Sequence, residues 1–170
     1  MDAGIINYAV YENGSEYLGM ANVTLPNQSH KILTVNGAGI PGDIDLPVLG
    51  HKDAMRATFN FTDAPPAAYK LAEMRRHVID IRAAHEEYDA TAGKIVVRAY
   101  KHVLEIIPVT KNGGTVAPSA AQAASGEYTV LSQKDYIDGK LVGDYDPVHF
   151  KDIDNSGTDN LSAVRSALGK

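Results

Sequence analysis

Cysteine and tryptophan are absent from the 170 residues, and phenylalanine occurs only three times. Without cysteine there is no disulfide framework, thiolate nucleophile or zinc–thiolate centre. Basic residues are also in deficit: 16 Lys and Arg against 21 Asp and Glu give a net charge of −5. That balance argues against tight binding to phosphate backbones, which needs basic side chains gathered on one surface. The first twenty residues hold neither a basic start nor an apolar run, so no secretory leader is read and an intracellular protein is expected. The composition, 44% hydrophobic and 22% charged, fits a soluble globular chain and not a disordered or membrane one. One domain spanning residues 1–170 is expected, long enough to bury about 70% of its unfolded surface.

Catalytic and ligand motifs are equally scarce. The six histidines, at positions 30, 51, 77, 85, 102 and 149, form no H-x-x-x-H pair that would set two imidazoles on one helix face. His85-Glu86-Glu87-Tyr88-Asp89 departs from a zincin at its last ligand. Gly37, Gly39 and Gly42 have the spacing of a dinucleotide fingerprint. However, Pro41, Asp43 and Pro47 place them in a β-like stretch, not at the opening of a helix. There is no G-x-S-x-G elbow and no phosphate loop. The run from Asp152 to Gly157 begins like a calcium loop, with Asp152, Asp154, Ser156 and Gly157 in order, but position twelve is Ala163 where a bidentate carboxylate is needed. It reads instead as a turn, Asn155-Ser156-Gly157, followed by a helix capped by Thr158 or Asp159. The helix has Leu161, Val164 and Leu168 on its apolar face and Gly169 at its stop. No catalytic, cofactor-binding or metal-binding residue is expected.

What the chain does have is short β-patterned segments separated by turn residues. Tyr8–Tyr11 and Tyr17–Met20 flank Asn13-Gly14 as a hairpin, with Ala21–Leu25 extending the second arm. Lys31–Val35, Asp43–Leu46 and Ala54–Phe61 are further strands, punctuated by a glycine-rich loop or arm over residues 36–52. Tyr128–Ile137 and Lys140–Phe150 meet at Asp138-Gly139, and Pro147 confines the latter to an edge or bulge. From Pro66 a helical stripe (Leu71, Met74, Val78, Ile81) competes with a strand alternation that begins at His77. The β-branched richness of Lys94–Ile107 favours strands. The reading is a short helix over 67–75, then two long strands closing at Ala90–Gly93. Residues 110–126, rich in Gly, Ala and Ser, are expected to be a flexible loop.

Four pieces in this order, NYAVYENGSEYLGMANVTLP, VNGAGIPGDIDLPVLGH, YIDGK and DNLSAVRSALG, resemble the major tail tube protein of contractile-tailed bacteriophages over nearly the whole chain. The resemblance implies a mainly β fold, a β-sandwich or barrel of the tail-tube type with one packed α-helix and a short C-terminal helix. It implies a structural virion protein without catalytic role. Homohexameric rings would stack into the inner tube of a contractile tail, the conduit for DNA ejection. The tube protein of type VI secretion could use the same fold. The implied partners are further copies of the chain, the tail sheath protein, and the baseplate and tail terminator proteins. DNA would pass without specific binding, and no membrane is involved. The implied location is the virion tail, assembled in the host cytoplasm.

On that reading Gly37, Gly39, Ile40, Gly42, Leu46 and Leu49 belong to an arm that reaches a neighbouring subunit or ring. Glu86, Glu87 and Asp89 contribute to an acidic lumen or its rim, where repulsion lets DNA slide. The alternative is a monomeric β-sandwich that binds a small ligand or glycan. With no tryptophan, it would depend on the nine tyrosines as platforms.

Overall fold

Asn13 and Gly14 both take positive φ, 53° and 75°, as a two-strand reversal requires. They turn the chain from β1 (Asp2–Glu12) into the two-residue β2 (Glu16–Tyr17), with Tyr11 opposite Tyr17. The computed structural model describes residues 1–19 and 21–170, so the end of the expected second arm, Met20, lies outside the described residues. β3 (Ala21–Thr24) does not prolong that hairpin as expected. Next come β4 (His30–Val35) and β5 (Ile44–Lys52), which pair with each other as a separate two-stranded sheet. β6 (Met55–Phe61) then returns beside β3, with Ala21 opposite Phe61. Of the loop or arm expected over 36–52, residues 36–43 lie outside strands and the rest is β5, which extends the expected Asp43–Leu46 strand to Lys52, with Ile44, Leu46 and Val48 giving it a strand's alternation.

Pro65 and Pro66 open α1 (Pro66–Leu71), where a missing N–H costs nothing. The helix stops short of the expected Arg75. Glu73 gives its carbonyl to the His77 ring and to the backbone N–H of Arg75. Met74, part of the expected helical stripe, is 80% exposed. The alternation starting at His77 prevails: β7 (His77–Asp89) and β8 (Lys94–Asn112) pair in unbroken register from His77 opposite Ile106 to Asp89 opposite Lys94. β9 (Ser125–Ile137) follows, so only residues 113–124 of the expected 110–126 loop lie outside strands. They are tied down by Thr115 to Gln122 (2.9 Å) and Gln122 to the Asp63 carboxylate (3.2 Å). Asp138 and Gly139, again both at positive φ, lead into β10 (Lys140–Asp146), and β11 (Lys151–Ile153) completes the edge. α2 (Ser162–Ala167) is capped by Leu161, with no side-chain cap from Thr158 or Asp159. Of its expected apolar face only Leu161 is buried, and Leu168 is 58% exposed.

The strands run β11-β10-β9-β8-β7-β1-β2, all antiparallel. β9 divides the sheet. Its second half (133–137) pairs with β10, and its first half (125–130) pairs with β6. The β6–β3 branch, with α1, covers the inward face of β1, β7 and β8. There Val10, Ile79, Ile81, Leu104 and Ile106 meet Met55, Ala57, Phe59, Phe61 and Leu71. Each such large side chain contributes about 1.5–3 kcal/mol by leaving water. Phe59 also packs against Tyr128, the rings tilted at 45° with 5.0 Å between centres. The fold is mainly β with two short helices, and the sheet does not close on itself within one chain. Among the described residues no helix is long and apolar enough to cross a membrane.

Candidate assembly interface

Strand pairing is incomplete at one end of the molecule. β1, β7 and β8 run together beyond the sandwich as a three-stranded ribbon, from Asp2 opposite Glu87 to Tyr8 opposite Ala83. β2 touches β1 only at Tyr11 and Glu12, and β9 begins to pair with β8 at Tyr100. Among the described residues, the outer edge of Asp2–Ala9 and the edge of Lys94–Arg98 therefore have no strand partner. These edges lie on opposite sides of one ribbon. Unpaired N–H and C=O groups in such rows are templates for another strand. The ribbon also exposes Ile5, Ile6, Tyr88, Ile95 and Val97.

The three acidic residues singled out from the sequence sit at the free end of this ribbon but do not share a face. Successive side chains on a strand point to opposite sides, so Glu87 and Asp89 share one face and Glu86 takes the other. Glu87 pairs with the Arg98 guanidinium, and this hydrogen bond is the main reason Arg98 is held above its ordinary pKa. Asp89 accepts the backbone N–H groups of Thr91 (2.9 Å) and Ala92 (3.1 Å), fixing the turn.

The second unpartnered surface is the β4–β5 hairpin. Leu33 faces Leu46, and Val35 faces Ile44. Ile32 and Leu33 are 62% and 60% exposed, and Ile44, Leu46 and Leu49 are about half exposed. Gly37, Gly39, Ile40 and Gly42 form the tip, where the Ile40 N–H donates to the Gly37 carbonyl (3.1 Å). Leu46 and Leu49 lie on β5. A two-stranded hairpin on its own is marginal in water, and contiguous exposed apolar side chains mark surfaces that become covered.

The body carrying both surfaces is locked by a cluster that sequence spacing did not reveal. Glu12 and His77 are completely buried, with Nδ1 of the ring 2.8 Å from the Glu12 carboxylate and Nε2 3.0 Å from the Glu73 carbonyl. Arg75 donates to Glu12 (3.0 Å), and Lys70 approaches its other oxygen at 3.5 Å. Burial alone would push the Glu12 carboxyl up. The His77 and Arg75 hydrogen bonds and charges outweigh burial and hold it below the ordinary value. Nothing in the linear spacing marks this pair, because residues 12 and 77 meet through β1–β7 pairing. The aspartates of the calcium-like run are likewise committed internally: Asp154 to Ser156 (2.9 Å to its N–H), and Asp152 to Lys52 (3.5 Å). Among the described residues no three His, Asp or Glu side chains gather as a metal centre.

A scan against protein-family models matches residues 2–169 to the family described as phage tail tube protein FII. Among solved structures, a similar chain occurs in the cryo-EM structure of an extracellular contractile injection system, the PVC sheath–tube complex in its extended state. The match has a TM-score of 0.51 and 13% identity, covering 80% of this chain and 89% of that one. No match is found among curated proteins.

Proposed function

The chain belongs to the phage tail tube protein FII family, a structural component of the virion tail, and from that premise we propose that its working form is a ring of six copies stacked into the inner tube. The observation that carries this reading is the pair of open edges on opposite sides of one ribbon. A head-to-tail contact needs two different edges, and repeating it through a closing rotation makes a ring. Pairing Asp2–Ala9 of one copy with Lys94–Arg98 of the next would join the ribbons into a continuous barrel and remove both edges.

The arm that bears Gly37, Gly39, Ile40, Gly42, Leu46 and Leu49 then covers its apolar side chains against an adjacent subunit or ring. Glu86, Glu87 and Asp89 lie at the rim or lumen of the tube. The two faces they occupy fit a hairpin end that meets both lumen and ring junction. DNA passes without specific contacts, in keeping with the net charge of −5. The outer face meets a sheath, as in the contractile injection system, and baseplate and terminator proteins bound the tube ends. Assembly takes place in the host cytoplasm, and the chain carries no catalytic step. Negative-stain microscopy of the concentrated protein tests the proposal. Rings or hollow tubes are expected, and a strictly monomeric species by light scattering at all concentrations would overturn it.

A further inference from the structure

The direction in which the β4–β5 arm projects is set at its root, and the root is held by the far end of the chain. Lys52, the last residue of β5, is a buried cation whose side chain is only 8% exposed. Its Nζ donates to the Gln28 side chain at 2.8 Å, lies 3.5 Å from the Asp152 carboxylate, and sits 4.2 Å from the centre of the Tyr145 ring. Gln28, at the other root of the arm, donates in turn to Gln133 on β9 (3.1 Å). Both roots are therefore tied to the β9–β11 edge by polar contacts, with the Lys52 ammonium set between an amide oxygen, a carboxylate and an aromatic face.

Two residues earlier, Gly50 takes φ +69°, and a Cβ there would stand 2.1 Å from Leu161. The Tyr145 hydroxyl donates to the Gly50 carbonyl at 3.3 Å. Leu161 thus presses on bare backbone at the base of the arm, and it is the one buried apolar residue of the C-terminal segment after Ile153. The rest of that segment holds Leu161 in place. The Asp159 carboxylate accepts the N–H groups of Leu161 (3.1 Å) and Asp152 (3.2 Å), and Arg165 bridges Asp159 and the Phe150 carbonyl. α2 itself buries no side chain. It contributes little to the core and serves to deliver Arg165. A half-open cleft of about 350 Å³, walled by Gln28, Lys52, Gln133, Asp152 and Asn160, lies beside these contacts, so on that side the root is held by a few polar contacts.

We propose that residues 150–168 form a clamp that orients the β4–β5 arm for tube assembly, with Leu161, Asp152 and Lys52 as positioning residues. This rests on the reading of the arm as an inter-subunit element, and the test separates the two. In the full-length protein, Leu161→Ala and Lys52→Met are compared with Ile44→Asp/Leu46→Asp, which alters the arm without touching its root. Hydrogen exchange and tube yield by microscopy are measured for each. The clamp variants are expected to speed exchange across residues 30–52 by about tenfold or more while β7, β8 and the core half of β9 keep native protection, and to lower tube yield. If the arm variant forms tubes normally, the inter-subunit reading fails. If it abolishes tubes but the clamp variants keep native exchange and yield, the clamp alone fails. A uniform rise in exchange across the whole sandwich also overturns the clamp, since it would mean lost stability and not lost orientation.

Discussion

β6 and β5 are strands of seven and nine residues with similar apolar content, yet one lies in the core and the other in water. In β6, Met55, Ala57, Phe59 and Phe61 all point inward and are buried, while Arg56 and Asn60 are exposed. In β5, Ile44, Leu46 and Leu49 remain exposed, and burial begins only at the root, with Gly50 and the Lys52 side chain. Strand propensity is satisfied in both. What differs is the partner: β6 has β3 and β9 on its edges and α1 and β7 over its face, whereas β5 pairs with β4 and meets the rest of the chain at its root, Gly50–Lys52. The exposed apolar side chains of β5 are those that the proposed assembly would cover.

The largest expected effect tests this contrast directly. Phe59→Ala removes a fully buried ring and its contact with Tyr128, and should cost about 3–5 kcal/mol in denaturant unfolding of the monomer. Leu46→Ala, on the arm, should change monomer stability by less than about 0.5 kcal/mol. A comparable loss at both sites would mean that the arm packs on its own sandwich.

Next in size is the lock that keeps the body rigid. Glu12→Gln leaves His77, Arg75 and Lys70 without a carboxylate in a buried site, and should cost roughly 3 kcal/mol at neutral pH. The sign of its pH dependence follows from the Glu12 carboxyl being held below its ordinary value. That stabilisation is present above the ordinary glutamate pKa and is lost as pH falls through the lower folded value. An acid limb in the stability profile should flatten in Glu12→Gln. An unchanged acid limb would mean that other carboxylates control it.

Tyr128 gives the opposite limb. Burial pushes its hydroxyl up to about 12, so its contribution is intact below the ordinary tyrosine value near 10 and fades as pH rises from there to about 12. The full loss is on the order of 2–3 kcal/mol. Tyr128→Phe should match the native protein at pH 7 and lose this alkaline decline. Tyr145, raised by the same cause to a smaller extent, would leave a residual slope.

Much of the fold was legible because the turns are written in local chemistry. Asn13-Gly14 and Asp138-Gly139 each supply two consecutive positive φ angles, and both hairpins appear where those dipeptides stand. The His77 alternation prevailed over the helical stripe because β8 offers it a thirteen-residue ladder, a gain invisible in the local window. The same limit explains the pairing of β3 with β6 and the Glu12–His77 contact, which join segments tens of residues apart. The candidate site was legible as residue types and not as geometry. The arm's apolar residues, its glycines and its two strands at Lys31–Val35 and Asp43–Leu46 were evident, but the extension of the second strand to Lys52 and the pairing of the two needed the β4–β5 register. Glu86, Glu87 and Asp89 read as one acidic cluster until strand parity divided them between two faces.

The smallest effect bears on that division. Glu87–Arg98 and Glu86 are partly solvated at the ribbon's end, where exposed ion pairs contribute about 0–1 kcal/mol. Glu87→Gln should therefore leave monomer stability nearly unchanged, whereas Asp89→Ala, which frees two turn N–H groups, should cost about 1 kcal/mol. If both acids face the lumen, neutralising Glu87 should slow DNA passage through assembled tubes without altering their yield. If Glu87 serves the junction between copies, the same change should lower tube yield and make it salt-dependent. Measuring yield and salt dependence side by side decides which face of the hairpin meets the channel.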